Sequence, residues 1–217
     1  MRLNRAGVVA GLVYLLIGAA WGLLSGNPAA IAWFVLVAAV GAFVPGEANQ
    51  VTLARAYLAA PALAYAIQKE FAPLAVTVAV AGVTDLLDGT VARRLGQLTN
   101  FGGGLDPVVD GMFMGAFVVG IAIGGVIPEW LSAVVIARYL LPAVAGGVLL
   151  LLGRRPELRH TLTGQVSTTL ILVLLGGICL LRALRQDTGT LLPAAEVVIP
   201  VATVATYAHL GVTLRRG

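Results

Sequence analysis

An all-helical protein embedded in a lipid bilayer is the fold class that this sequence predicts. Three observations carry the prediction. Apolar stretches recur from one end of the 217 residues to the other. Only 11% of residues are charged and 59% are hydrophobic, whereas soluble domains are roughly one quarter charged. The arginines fall at the ends of apolar stretches and form no patch with interleaved aromatics. That distribution fits membrane topology and excludes nucleic acid as the partner behind the net charge of +4. With lipid as solvent, no outside group can pair with a free backbone amide, so the spans must be helices.

Eight spans are expected, near 7–25, 29–45, 51–68, 72–92, 106–127, 130–152, 164–184 and 191–212. The first follows Arg2 and Arg5. Its apolar run reaches Leu24 with no small-residue cleavage site after it, so it reads as a retained helix and not a signal peptide. Gly7, Gly11, Gly18, Gly22 and Gly26 give that span small-xxx-small steps suited to close helix packing. Spans shorter than about 20 residues are accommodated by tilt and helical extension. Turn chemistry marks the breaks: Ser25-Gly26-Asn27-Pro28, Pro45-Gly46, Gly102-Gly103-Gly104 and Asp187-Thr188-Gly189. Trp130, at a span start, reads as an interfacial anchor. Cys179 stands alone inside an apolar stretch, which rules out an internal disulfide.

An even number of spans puts both termini on one side. If that side is the cytoplasm, it collects Arg2, Arg5, Arg55, Arg93, Arg94, Arg154, Arg155, Arg159, Arg215 and Arg216. The far side keeps Lys69, Arg182 and Arg185, and Arg138 stays within a span. Ten against three favours this orientation.

The chemistry lies between residues 84 and 110. Asp85 and Asp88 are three apart, and Asp106 and Asp110 are four apart, so each pair shares one helix face. The glycines at 102–104 are expected to fold the second helix back beside the first. Four carboxylates gathered in a membrane cannot all ionise without countercharge, because each costs several kcal/mol of desolvation and each repels the others. Hard divalent cations resolve this, so Mg²⁺ or Mn²⁺ is expected, as a pair able to neutralise a pyrophosphate. Gly89 and Ala92 leave room for a ligand to approach, and Arg93 offers a planar cationic fork for phosphate.

The string Asp85-x2-Asp88-Gly89-x2-Ala92-Arg93-x8-Gly102-x3-Asp106-x3-Asp110 resembles the signature of the CDP-alcohol phosphotransferase family, position for position. Asn49-x2-Thr52-x2-Arg55 resembles the segment opening that family's first core helix, with Ala48 in place of a usual proline. This pattern looks most like the phosphatidylglycerophosphate and cardiolipin synthase branch. Arg138 resembles an arginine of the fourth core helix.

The resemblance implies a catalytic core of six helices over 48–217, preceded by an N-terminal helical hairpin over 1–47. It implies that Asp85, Asp88 and Asp106 ligate metal and that Asp110 shares the second ion. Asp110 would also be the base that takes the acceptor's proton. Gly89, Ala92, Arg93 and Gly102, together with Asn49 and Thr52, would hold the cytidine and pyrophosphate of the donor. The donor would be CDP-diacylglycerol or another CDP-alcohol. The attacking alcohol would displace CMP, in a homodimer among membrane lipids, at the cytoplasmic face of a prokaryotic-type plasma membrane.

Two departures bear on the acceptor. Many lipid synthases of the family carry lysine directly after the last aspartate, where this chain has Gly111. Many also open the fifth core helix with a Gly-Lys-x-Lys-Thr-like segment, where this chain has Gly164-Gln165-Val166-Ser167-Thr168. Arg138, with Arg155 or Arg159 from the basic connection, is expected to grip the acceptor in place of the missing lysines. Two rival readings are a divalent-cation transporter, which explains the carboxylates but not Gly89, Ala92 and Arg93, and an inactive lipid-binding member of the family.

Overall fold

The computed structural model describes residues 3–95, 100–151 and 162–216. Among the described residues there are eight helices and no strand. They are α1 (Arg5–Leu24), α2 (Ala30–Gly41), α3 (Glu47–Gln68), α4 (Phe71–Leu95), α5 (Asn100–Ile123), α6 (Glu129–Leu151), α7 (Leu162–Ala183) and α8 (Leu191–Arg216). Each answers one expected span. Four contain stretches long and apolar enough to cross a membrane: Arg5–Leu24, Leu105–Ile123, Val166–Ala183 and Leu191–His209. Ala30–Gly41 and Phe71–Asp85 are shorter apolar stretches. In α3 the polar residues Asn49, Gln50, Thr52 and Arg55 are turned inward and buried. A hydropathy average therefore understates how apolar its outer surface is.

The glycine run is not where the sequence placed it. Gly102-Gly103-Gly104 lies inside α5, and the step from α4 falls in residues 96–99, outside the described residues. A glycine costs a helix about 1 kcal/mol relative to alanine. An unpaired amide in hydrocarbon costs several, so the helix runs on through all three. Nor do α4 and α5 pack side by side among the described residues. Both pack on α3, and α3 with α5 forms the most extensive helix pair of the fold.

Two apolar clusters hold the bundle. The larger joins Ala62 and Ala66 of α3, Leu74 and Val78 of α4, Phe117 and Ile121 of α5, and further residues of α6, α7 and α8. The smaller joins Phe34 and Val37 of α2 to Leu53 and Tyr57 of α3 and Val109 of α5. The hairpin α1–α2 is thus seated on α3 by its own core, with Tyr14 stacked on Tyr57 at 4.6 Å. Four of the five glycines in the first segment are buried, and they face α2 as expected: Gly7 meets Gly41, Gly11 meets Ala38, Gly18 meets Phe34 and Gly22 meets Ile31. Gly26 instead adopts φ 71° in the turn.

Gly120 approaches α3 closely. A methyl group there would stand 2.7 Å from the Ala66 Cβ and 3.1 Å from the Leu63 carbonyl oxygen. Gly120→Leu is therefore expected to force α5 off α3, at a cost of at least about 1–3 kcal/mol. A thermal melt in detergent should show the loss, whereas Gly115→Leu, with no atom near its Cβ site, should melt like the parent.

Candidate functional site

The site forms where the N-terminal part of α3, the C-terminal half of α4 and the first turns of α5 reach the same end of the bundle. Helical phase explains which α3 residues take part. Asn49, Thr52 and Arg55 are three apart in succession and lie on one face, and all three are buried.

Arg55 is the centre of this site. Its side chain is 3% exposed. Its Nη1 donates to Asp85 Oδ1 on α4, and its Nε lies 3.2 Å from Asp110 Oδ1 on α5. One guanidinium thus ties together two helices that do not pack on each other among the described residues. Thr52, one turn earlier, donates its hydroxyl to Asp106 Oδ1 at 3.1 Å. Three of the four aspartates singled out by the sequence are therefore gathered by α3. Sequence reasoning counted Arg55 as a topology signal and as part of a resemblance, and gave it no role in the site. Its three-residue step from Thr52 was the signal that could have found it.

The aspartates keep an open side. Asp85 is 58% exposed and Asp110 28%, while Arg55 sits buried behind them. Asp88 follows Asp85 by three residues on α4, and Gly89, Ala92 and Arg93 continue that helix. Gly102 lies in α5. The side chains of Asp88, Ala92 and Arg93 are not among those described, and Arg155 and Arg159 lie outside the described residues. Among the described residues no group of three or more His, Cys, Asp or Glu side chains is placed to hold a metal ion. The donor set nonetheless fits a hard divalent ion. It consists of carboxylate oxygens, two of them partly open, with a buried cation already offsetting part of their mutual repulsion.

Asn49 and Gln50 do a different job. Asn49 Nδ2 donates to the Pro45 carbonyl at 2.6 Å. Gln50 Nε2 donates to the carbonyls of Gly41 at 3.2 Å and Val44 at 2.8 Å. Asn4 adds Nδ2 to Val44 O at 3.1 Å. These amides latch the bend between α2 and α3, so the N-terminal hairpin fixes the start of the helix that carries Thr52 and Arg55.

Arg138 lies on α6 and is 7% exposed. Its Nη1 donates to Thr206 Oγ1 at 3.1 Å, and its Nη2 to the Gly164 carbonyl at 3.0 Å and to Thr168 Oγ1 at 3.3 Å. Among the described residues, it joins α6 to α7 and α8 through neutral oxygens. Tyr207 reinforces the same junction by donating to the Ala137 carbonyl at 2.9 Å.

Comparison with known proteins agrees with the geometry. The model of the CDP-alcohol phosphatidyltransferase family matches residues 47–210, about three quarters of the chain, starting at the first residue of α3. Proteins of that family generally depend on a divalent cation. A probable CMP-forming cardiolipin synthase of Drosophila melanogaster is 39% identical over 103 residues, covering 46% of this chain and 32% of that protein. A CMP-forming cardiolipin synthase of Streptomyces coelicolor is 38% identical over 71 residues, 33% of each chain. The CDP-diacylglycerol–glycerol-3-phosphate 3-phosphatidyltransferase of Bacillus subtilis is 34% identical over 89 residues, 41% of this chain and 45% of that protein. The matched segments thus span between a third and a half of these relatives.

Proposed function

We propose, from the premise that this chain belongs to the CDP-alcohol phosphatidyltransferase family, that it transfers a phosphatidyl group from CDP-diacylglycerol to a small polar alcohol or its phosphate and releases CMP. The observation that carries this reading is the gathering of Asp85, Asp106 and Asp110 by Arg55 and Thr52 on the face of α3.

The chemistry assigned to each group follows from its position. The acceptor hydroxyl attacks the phosphorus that bears the diacylglycerol, and the bond from that phosphorus to the CMP oxygen breaks. Asp110 takes the hydroxyl proton as the new P–O bond forms. Asp85, Asp88, Asp106 and Asp110 would hold a pair of divalent ions, which would supply countercharge for the pyrophosphate. Arg55 keeps Asp85 and Asp110 at working separation from behind. Gly89, Ala92, Arg93 and Gly102 receive the nucleotide. A cation transporter is disfavoured because two of the carboxylates are already paired with a buried guanidinium.

A CMP-release assay with CDP-diacylglycerol and a panel of alcohols tests the reading. Release that requires both Mn²⁺ or Mg²⁺ and one of the alcohols is expected. Absence of release with every alcohol would reject the transferase assignment. Association as a homodimer belongs to the same proposal and is checked by light scattering in detergent.

The proposed orientation puts the site at the cytoplasmic face of a prokaryotic-type plasma membrane, following the arginine asymmetry. Cysteines at Glu47 and Asp187, both exposed and at opposite ends of the bundle, check it in a Cys179→Ser background. Position 187 should react with an impermeant thiol reagent in intact cells, and position 47 only after permeabilisation. The opposite pattern would invert the orientation.

A further inference from the structure

We propose that the N-terminal hairpin and the core together form a groove that binds one acyl chain of a membrane phospholipid, at the end of the bundle opposite the aspartates. The proposal does not depend on the transferase reading.

The groove lies between α2, α3 and α5 and has a volume of about 570 Å³. Its floor is α3, which packs on both of the other helices. Ala60, Ala64 and Ile67 line that floor from one helix face. Trp33 of α2 lines one wall, and Met112 and Ala116 of α5 line the other. The outer end is the α1–α2 turn at Asn27. Polar bonds hold the walls in place at both ends. Trp33 Nε1 donates to the Ala56 carbonyl at 2.7 Å at the inner end. Gln68 Nε2 donates to Asn27 Oδ1 at 3.3 Å at the outer end. The hairpin cannot close onto α3 without breaking them.

The chemistry and length of the groove identify its occupant. No charged side chain lines it among the described residues, so nothing there pairs with a phosphate or a charged peptide. An apolar cavity of about 150 Å³ stays dry and takes up benzene. This one is several times larger, and the solvent around it is hydrocarbon. The α3 residues that line it run from 59 to 67, a rise of about 12 Å. One leaflet's share of the hydrocarbon core is about 15 Å. The groove therefore runs from the far surface nearly to the bilayer midplane, which is the depth of one acyl chain.

The aspartates lie beyond its closed end. On α2, α3 and α5 the smaller apolar cluster comes next toward the site, with Val37, Tyr57 and Val109. Met112 is two residues past Asp110, which puts it on the opposite side of α5. The lipid held here thus belongs to the leaflet facing away from the site and is not the one whose phosphate reacts. It completes the seat of the hairpin on α3, and α2 lies outside the segment that the family model matches.

Ala64→Phe fills the groove, and Ala60→Leu fills it with less added bulk. Trp33 reports occupancy, because bromine on an acyl chain quenches tryptophan fluorescence on contact. The probe is phosphatidylcholine brominated along its acyl chains, added to the detergent-solubilised full chain. Saturable quenching is expected in the parent, and its loss in both filled variants and in Trp33→Phe. The same additions should raise the melting temperature of the parent and leave that of the filled variants unchanged. If Ala64→Phe does not fold, Ala60→Leu decides. Quenching that is equal in the parent and the folded filled variants, or unchanged in Trp33→Phe, would overturn the proposal. So would a several-fold rise in KM for CDP-diacylglycerol in Ala60→Leu, which would assign the groove to the donor's own chain.

Discussion

Asp110→Asn should reduce CMP release by about 10²–10⁴-fold, the range for loss of a positioned general base. Asparagine keeps the size of the side chain, but its amide cannot take the acceptor's proton. Binding of CDP in the presence of Mn²⁺ should be largely kept, because Asp85, Asp88 and Asp106 remain. Asp85→Asn should behave differently and weaken metal-dependent nucleotide binding itself. Single-turnover CMP release beside a binding titration separates the two defects. Near-parental turnover by Asp110→Asn would move the base elsewhere and leave the metal assignment standing.

Arg55→Gln should have the second large effect, and it should appear first in stability. The guanidinium contacts both Asp85 on α4 and Asp110 on α5. Removing one partner of a buried ion pair costs about 3–5 kcal/mol when both partners are buried. Here Asp85 is 58% exposed, so solvent offsets part of that cost. What remains is three carboxylates with less countercharge, and a divalent ion then becomes the main source of it. The melting temperature of Arg55→Gln should therefore fall in EDTA and recover with Mn²⁺ more than the parent's does. At 100 times its dissociation constant, a ligand adds about 2.7 kcal/mol. Arg55→Lys should recover only part of the parental stability, since an ammonium group lacks the fork that reaches two helices at once. Equal metal dependence in parent and variant would mean that Arg55 does not share the work of neutralising the carboxylates.

The helices were legible in the sequence because a bilayer leaves the backbone few choices. Runs of apolar residues broken at Pro28, Gly46 and Gly189 gave each element its type and its approximate limits. The start of α5 was the exception. Glycine is a helix breaker on the scale of water, and in hydrocarbon the cost of an unpaired amide outweighs its conformational freedom. The carboxylates were legible as pairs, since three- and four-residue spacing fixes a helix face whatever surrounds it.

What spacing cannot give is the third element. Nothing in the interval from Asp85 to Asp110 says that α3 is the helix on which α4 and α5 both pack, or that Arg55 joins them. Asn49 illustrates the same limit. Its place in a nucleotide-site motif could be read, while its bond to the Pro45 carbonyl depends on how the α2–α3 bend closes. Arg138 was legible as a charge within a span. That the described partners are Thr168, Thr206 and a carbonyl on α7 and α8 follows from packing between helices about 30 to 70 residues apart.

Calorimetric titration of CDP into the detergent-solubilised protein, with and without Mn²⁺, tests the central claim most directly. The predicted result is saturable CDP binding that appears only with the metal and is lost in Asp85→Asn. Mn²⁺ binding that is indifferent to CDP, or no CDP binding under either condition, would contradict a site built for a CDP-linked donor.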